Sequence, residues 1–214
     1  MAPFLNIGMI TQFTEHRLFP TTVYQNHLPV DQDEFKMVLD MPFERMPSNN
    51  GSYTKEKNIL SLLPNTRKQI QEHVHYYLHT VLEIVDRYDF YFTTSWVNKH
   101  VTGDKAHSHF HANSVISGCY YLKMPESGGD ICFPKPTNHN NFLSDTFNFD
   151  TQVTNERNSA EYKIDVKEGM ILLFPSQTRH FTQINNSIED RYSLAFYVWV
   201  RGDMGNHDIE KIKL

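Results

Sequence analysis

The chain has 214 residues, 39% of them hydrophobic and 21% charged, and a formal net charge of −5 at pH 7. That length suits one domain with an N-terminal extension, and the apolar share is enough for a buried core. The acidic balance gives no electrostatic footprint for nucleic acid or an anionic membrane, and no stretch approaches the roughly 18 apolar residues of a membrane span.

The N-terminal MAPFLNIGMITQFTEHRLF lacks the basic start and continuous apolar core of a secretory leader. Cys119 and Cys132 are the only cysteines, too few for a disulfide framework and wrongly spaced for a CxxC pattern. Reduced, buried thiols in a cytoplasmic protein are therefore expected. The Asn-x-Ser matches at Asn50 and Asn185 then read as chance.

Along the chain, FPTTVY (19–24) reads as a strand. DQDEFKMVLDM (31–41) reads as a short helix, because its leading carboxylates suit a positive helix N-terminus. PSNNGSYT (47–54) reads as a loop. From Asn65 to Asp86, Ile70, Val74, Tyr77, Leu78 and Val81 recur at spacings of three and four, which predicts an amphipathic helix. His75 and His79 are one turn apart in it and could share a metal, although polar-face histidines are the simpler reading.

After Asp89 the period changes to two: YDFYFTTSWVNKHV, VISGCYYLKM and DICFP predict strands. KPTNHNNFLSDTFNFDTQVTNERNSAEY reads as a long excursion, followed by strands at YKIDV, MILLFP, HFTQI and RYSLAFYVWVRG. The sum is a mainly β, α+β fold: a helical N-terminal third packed on an antiparallel sandwich or jelly roll. We divide the single domain into a strand and helical support region (1–88), a jelly-roll core (89–202) and a C-terminal tail (203–214).

The stretch HSHFHANSVISG (107–118) sets His107, His109 and His111 at alternate positions, on one face if it is a strand. Alternate residues on a strand are about 6.7 Å apart and the outer pair about 13 Å. An imidazole nitrogen sits about 2.1 Å from a metal, so the pair is His107/His109 or His109/His111. A third ligand must come from elsewhere, and His180, just past the apolar strand MILLFP, is the candidate. Three protein ligands with open positions suit a metal that must also hold substrate and oxygen.

Arg191 and Ser193 share a strand face within an apolar run, and a guanidinium fork beside a hydroxyl is a receptor for a carboxylate. An inward arginine must meet either a protein carboxylate in a structural salt bridge or an anionic ligand.

These residues resemble the Fe(II)- and 2-oxoglutarate-dependent oxygenases. HFH (109–111), SGCYYL (117–122), SGGDICFP (127–134), EGMILLFPSQTRH (168–180) and RYS (191–193) fall in the family's order and spacing. HFHANSVISGCYY is similar to a bacterial and phage branch that reads His-x-His-x-x-Ser-x-x-Ser-Gly-x-Tyr-Tyr, itself prolyl-hydroxylase-like. The likeness is close over about residues 94–202. It implies a double-stranded β-helix (jelly roll) flanked by N-terminal helices, with Fe(II), 2-oxoglutarate and O2 as cofactor and co-substrates.

Residue by residue, the resemblance implies that His109, His111 and His180 hold the iron. It implies that Arg191 pairs with the distal carboxylate of 2-oxoglutarate, helped by Ser193 and the Tyr121 hydroxyl. One departure stands out: the family's usual second ligand is a carboxylate, whereas position 111 is histidine. Asp104 and Asp130 are the nearby carboxylates that could substitute. His107, Trp96 and Asn113 would lie around the mouth as substrate contacts.

The expected activity is hydroxylation of a small molecule or protein side chain, peptidyl or amino-acid in kind, with no membrane partner and no argument for nucleic acid. Oligomeric state is not readable. The competing readings are a cupin-like three-histidine metalloenzyme that does not use 2-oxoglutarate, and a non-catalytic β-sandwich binding module.

Overall fold

The computed structural model describes residues 12–16, 20–47, 50–136, 150, 152–205 and 211–214. About half of the long excursion predicted after Pro134 lies outside them, and of the strand predicted at 19–24 only residue 19 does, while 20–23 are not strand. The strand that forms there, β1, runs Tyr24–His27.

Helix α1 spans Gln32–Leu39. Asp31 caps it, accepting the Asp33 and Glu34 backbone N–H groups at 3.1 and 3.0 Å. Short strands β2 (Phe43–Arg45) and β3 (Ser52–Thr54) follow, so part of the predicted 47–54 loop is a strand.

Helix α2 spans Pro64–Tyr76, shorter than predicted, and passes into a π-helical turn at Tyr77–Val81. Its N-terminus is capped from outside: the buried Glu34 carboxylate accepts the Asn65 and Thr66 N–H groups at 2.7 and 2.9 Å. Ile70, Val74, Tyr77 and Leu78 form its buried stripe.

The core strands are β4 (Asp89–His100), β5 (Ile116–Lys123), β6 (Ile131–Pro134), β7 (Glu161–Ile164), β8 (Met170–Pro175), β9 (Phe181–Thr182) and β10 (Arg191–Arg201). The major sheet has the order β1-β8-β5-β10-β4-β3-β2 and the minor sheet the order β7-β6-β9. Every pairing is antiparallel. Crossovers between two facing sheets make a jelly roll. In the tail, β11 (Asp203–Met204) pairs with β12 (Ile212–Lys213).

Strand alternation gives the major sheet two different faces. Val97, Tyr120, Leu194, Phe196 and Val198 face the helices, packing with Ile59, Ile70 and Leu78 into the larger core. Between the sheets, a smaller core of Tyr121, Ile131, Phe133, Leu172 and Phe174 fills one end. The other end is open. Among the described residues no helix is long and apolar enough to cross a membrane.

Candidate active site

The open end of the jelly roll is a cavity of about 380 Å³. Alternate residues of three adjacent strands line it: Trp96, Asn98 and His100 from β4; Ser117, Cys119 and Tyr121 from β5; Arg191, Ser193, Ala195 and Tyr197 from β10. Cys132 is buried in β6, so of the two free thiols only Cys119 faces this space.

His109, His111 and His180 meet in the same cavity, with ligand atoms all within 4.8 Å of one another. The stripe 107–111 is not a strand, as the alternation had suggested. It is extended chain held by one isolated antiparallel bridge, in which His109 and His180 exchange backbone N–H···O bonds at 2.9 Å each. That bridge sets the two histidines side by side, with ring centroids 4.4 Å apart; His111 lies 4.8 and 5.0 Å from them. Of the two histidine pairs the spacing left open, the structure brings together His109 and His111. His107 is an exposed rim residue whose backbone N–H meets the Asn50 side chain.

The serines of the His-x-x-Ser-x-x-Ser pattern explain how His111 is held. Ser176 ends the β8 strand, accepts the His111 N–H on its carbonyl at 2.9 Å, and links through its hydroxyl to Ser114 and Ser117, each at 2.8 Å. All three hydroxyls are buried and mutually satisfied. They pin the segment carrying His111 to the strand that leads to His180.

Hydrogen bonds fix the tautomers of His109 and His180. Carbonyls can only accept, so the His109 Nδ1 beside the His107 carbonyl (2.6 Å) and the His180 Nδ1 beside the Thr178 carbonyl (2.9 Å) carry protons. Their Nε2 lone pairs remain free. His111 Nδ1 lies 2.5 Å from the Tyr197 hydroxyl; with that oxygen accepting from Nδ1–H, its Nε2 is left to act in the same way.

Burial, with His180 and His109 alongside, pushes His111 down to about 3; burial, partly offset by the Thr178 carbonyl, takes His180 to about 4. His111 and His180 are therefore neutral donors at pH 7. That donor set fits a divalent first-row ion. Among the described residues no carboxylate joins it. Asp104 forms a two-pronged ion pair with Arg45, and Asp130 accepts Lys163 and the Val166 N–H, so neither candidate substitutes for His111.

Arg191 is 1% exposed and meets no protein carboxylate among the described residues, which removes the structural salt bridge as its explanation. Its Nη1 donates to the Gly128 and Gly129 carbonyls at 3.0 and 2.7 Å; its Nη2 donates to Thr182 Oγ1 at 3.1 Å and to His100 Nδ1. Its buried Nε has no partner.

His100 can accept only because it is neutral. Burial first, and then the Arg191 charge, pushes it down to about 3, while its Nε2–H donates to the Asn50 carbonyl at 3.1 Å. Tyr121 and Ser193 are cross-strand neighbours in the cavity, and burial pushes the Tyr121 phenol well above its usual range, so it is an O–H donor. A buried cation flanked by two hydroxyls, with no acid to neutralise it, is a receptor for a carboxylate.

Trp96 lies on the cavity wall, its indole N–H donating to Asn98 Oδ1 at 2.9 Å. Asn113 does not reach the cavity: it is exposed and in the left-handed region at φ 56, where asparagine is one of the tolerated side chains.

Residues 94–197 match the family model for 2OG-Fe(II) oxygenases. That match, over just under half of the chain, identifies the core of the fold as 2OG-Fe(II) oxygenase-like. The chain's cofactor and co-substrates are accordingly Fe(II), 2-oxoglutarate and O2, and the readings as a binding module or a co-substrate-free metalloenzyme fall away.

Solved structures agree in fold. A 2OG-Fe(II) oxygenase family oxidoreductase from Burkholderia pseudomallei superposes with TM-score 0.54 at 12% identity, covering 82% of this chain and 83% of that one. The Pseudomonas putida prolyl-4-hydroxylase gives 0.51 at 15%, covering 85% and 94%. A Trichoplax adhaerens prolyl hydroxylase, solved with a hypoxia inducible factor peptide, gives 0.55 at 13%, covering 83% and 82%. No curated protein sequence matches the chain.

Sequence reasoning missed five residues that shape this cavity and hold its arginine. Tyr197 was hidden in an apolar run, His100 at the end of a strand, and Thr182 in a two-residue strand. The Gly128–Gly129 pair contributes carbonyls, which no side-chain pattern reports. Gly129 sits at φ +87, and a Cβ there would meet the Gln183 carbonyl oxygen at 2.4 Å, so glycine is what lets this loop close over Arg191.

Proposed function

We propose that this oxygenase hydroxylates a peptidyl or amino-acid side chain, with His109, His111 and His180 holding Fe(II) through their Nε2 atoms and Arg191 binding the distal carboxylate of 2-oxoglutarate. The observation that carries the reading is one cavity in which three convergent imidazoles face a buried guanidinium that has no acidic partner among the described residues.

When bound, the iron supplies the oxidising chemistry: O2 and 2-oxoglutarate yield CO2 and succinate, one oxygen atom entering succinate and the other converting a substrate C–H to C–OH. The chain's residues bind, orient and exclude water. Arg191 Nε and the Tyr121 and Ser193 hydroxyls supply N–H and O–H groups to the incoming carboxylate. His100, Thr182 and the Gly128–Gly129 carbonyls hold the guanidinium plane in place.

Three neutral ligands leave the ion's +2 charge for the 2-oxoglutarate dianion to balance. Trp96, Asn98 and the His107 rim then face the substrate, offering one flat apolar wall and a polar edge of the kind a side chain needs.

The test is succinate formation from 2-oxoglutarate by iron-loaded protein, read by NMR. Wild type turns over, and His180→Ala drops to background. Arg191→Gln raises the 2-oxoglutarate concentration needed, by roughly 10- to 100-fold, which is the worth of a charge-assisted hydrogen-bonded pair. Unchanged 2-oxoglutarate turnover in His180→Ala would overturn the ligand assignment. Succinate formation that no peptide or free amino acid stimulates would overturn the substrate class.

A further inference from the structure

A second grouping of metal-ligating side chains lies outside the cavity. His75, His79 and Asp86 present one ligand atom each, all within 4.8 Å of one another. His75 is in the last turn of α2 and His79 in the π-helical turn that follows, and their ring centroids are 4.4 Å apart.

The His79 Nδ1 is 2.7 Å from the Ile84 carbonyl, so it carries the proton and leaves Nε2 as a lone-pair donor, 3.8 Å from Asp86 Oδ1. The carbonyls of His107 and Thr178 impose the same orientation on His109 and His180. A backbone acceptor on the far nitrogen is the usual support of a metal-binding histidine.

The chain bends sharply to make this arrangement. After the π turn, Glu83 sits at φ 54 in the left-handed region, at a position just past a helix end where glycine is the usual residue. The Ile84 N–H bonds the Leu78 carbonyl at 2.9 Å, and the reversal carries both the Ile84 carbonyl and Asp86 back over His79.

We infer that His75, His79 and Asp86 form a second metal site, for zinc or a similar late first-row divalent ion, that clips the end of α2 to the loop before β4. Two imidazoles and one carboxylate are the donor set of such ions, whereas magnesium and calcium call for oxygen alone. A tetrahedral zinc ion holds its donors about 3.4 Å apart. The His79 and Asp86 atoms are close to that separation, and the exposed His75 is free to swing in. The clipped loop runs directly into β4, where Phe90 packs edge-on to His79 at 6.1 Å and where Trp96, Asn98 and His100 face the oxygenase cavity further along. The ion would stiffen the base of that strand without contacting the cavity.

The test is zinc titration of the full chain by calorimetry and elemental analysis, with melting followed in parallel. His75→Ala and Asp86→Asn are the chosen variants because both positions are exposed and their changes leave the His79–Ile84 bond intact. Wild type is expected to take up one more equivalent of zinc than either variant, and to gain a zinc-dependent rise in melting temperature that both lack. All three should melt alike in chelator. His180→Ala, which disables the other centre, should keep the extra equivalent. Equal zinc uptake and equal melting shifts in wild type and both variants would overturn the inference. So would loss of all zinc binding in His180→Ala.

Discussion

Tyr197→Phe isolates a single hydroxyl next to the proposed iron centre. That hydroxyl lies 2.5 Å from His111 Nδ1, and burial pushes its pKa up to about 12, so it stays protonated across the working range. The other two proposed ligands are oriented by backbone carbonyls, which no side-chain substitution removes. The ring itself stays, and with it the edge-on contact to Trp96 at 5.0 Å and the packing on His111 at 4.7 Å.

What is lost in Tyr197→Phe is the bond that turns the His111 ring toward the metal. Removing a group that orients a metal ligand typically weakens metal binding by roughly 10- to 100-fold, or about 1.4–2.8 kcal/mol. The assay is anaerobic Fe(II) titration, together with the iron dependence of succinate formation at saturating 2-oxoglutarate. The half-saturation for iron should rise by that factor, while the melting temperature of the metal-free protein barely moves. Iron affinity within about twofold of wild type would refute the claim that this bond orients His111.

Three further outcomes follow from the same geometry. His100 is neutral when folded, with its pKa held near 3, against an ordinary value of 6.5. The unfolded chain therefore binds a proton that the native state does not, and stability falls as pH drops from about 6.5 toward 3. His100→Gln keeps one donor and one acceptor without titrating, so its urea-denaturation free energy should fall less steeply over that window; parallel curves would refute the assignment. Gly51 sits at φ +82, and a Cβ there would come within 2.1 Å of the His100 ring. Gly51→Ala should cost more than the roughly 1 kcal/mol of a left-handed alanine alone and should also weaken 2-oxoglutarate binding through Arg191, both measurable by denaturation and turnover. The Asp104 carboxyl is buried, which alone would raise its pKa, but the Arg45 hydrogen bonds hold it below the ordinary 3.8. Its stabilising contribution is therefore present above that value and lost as pH falls through the lower folded value. The stability gap between wild type and Asp104→Asn should be flat from neutral pH to about 5 and close only in stronger acid.

Much of the architecture was legible because period-two burial writes itself into sequence. The strands at 89–100, 116–123 and 191–201 set one face toward core and the other toward the cavity, and 170–175 is an apolar run buried on both faces. The histidines were legible as a set but not as a geometry. Alternation suggested a strand at 107–111, whereas a single bridge to His180 is what makes the rings converge. Neither partner of that bridge carries a local signal for the other. The helix over 65–86 was read too long because apolar spacing continues through Val81, while the π turn and Glu83 end it by backbone geometry. The anchoring of Arg191 was invisible for a related reason: two glycine carbonyls and a neutral histidine leave no pattern of charge to find.

Strand β10 interleaves two kinds of side chain. Arg191, Ser193 and Tyr197 point into the cavity, and Tyr192, Leu194, Phe196 and Val198 point away into the packed interior. Gaining or losing one residue in it would not shift the guanidinium by a few ångströms; it would turn it inside out, placing a cation among Ile59 and Leu78 and a leucine where the carboxylate should dock. Length is therefore the property of this strand least free to drift. Individual substitutions can retune either face separately, but an insertion or deletion would abolish activity and stability together.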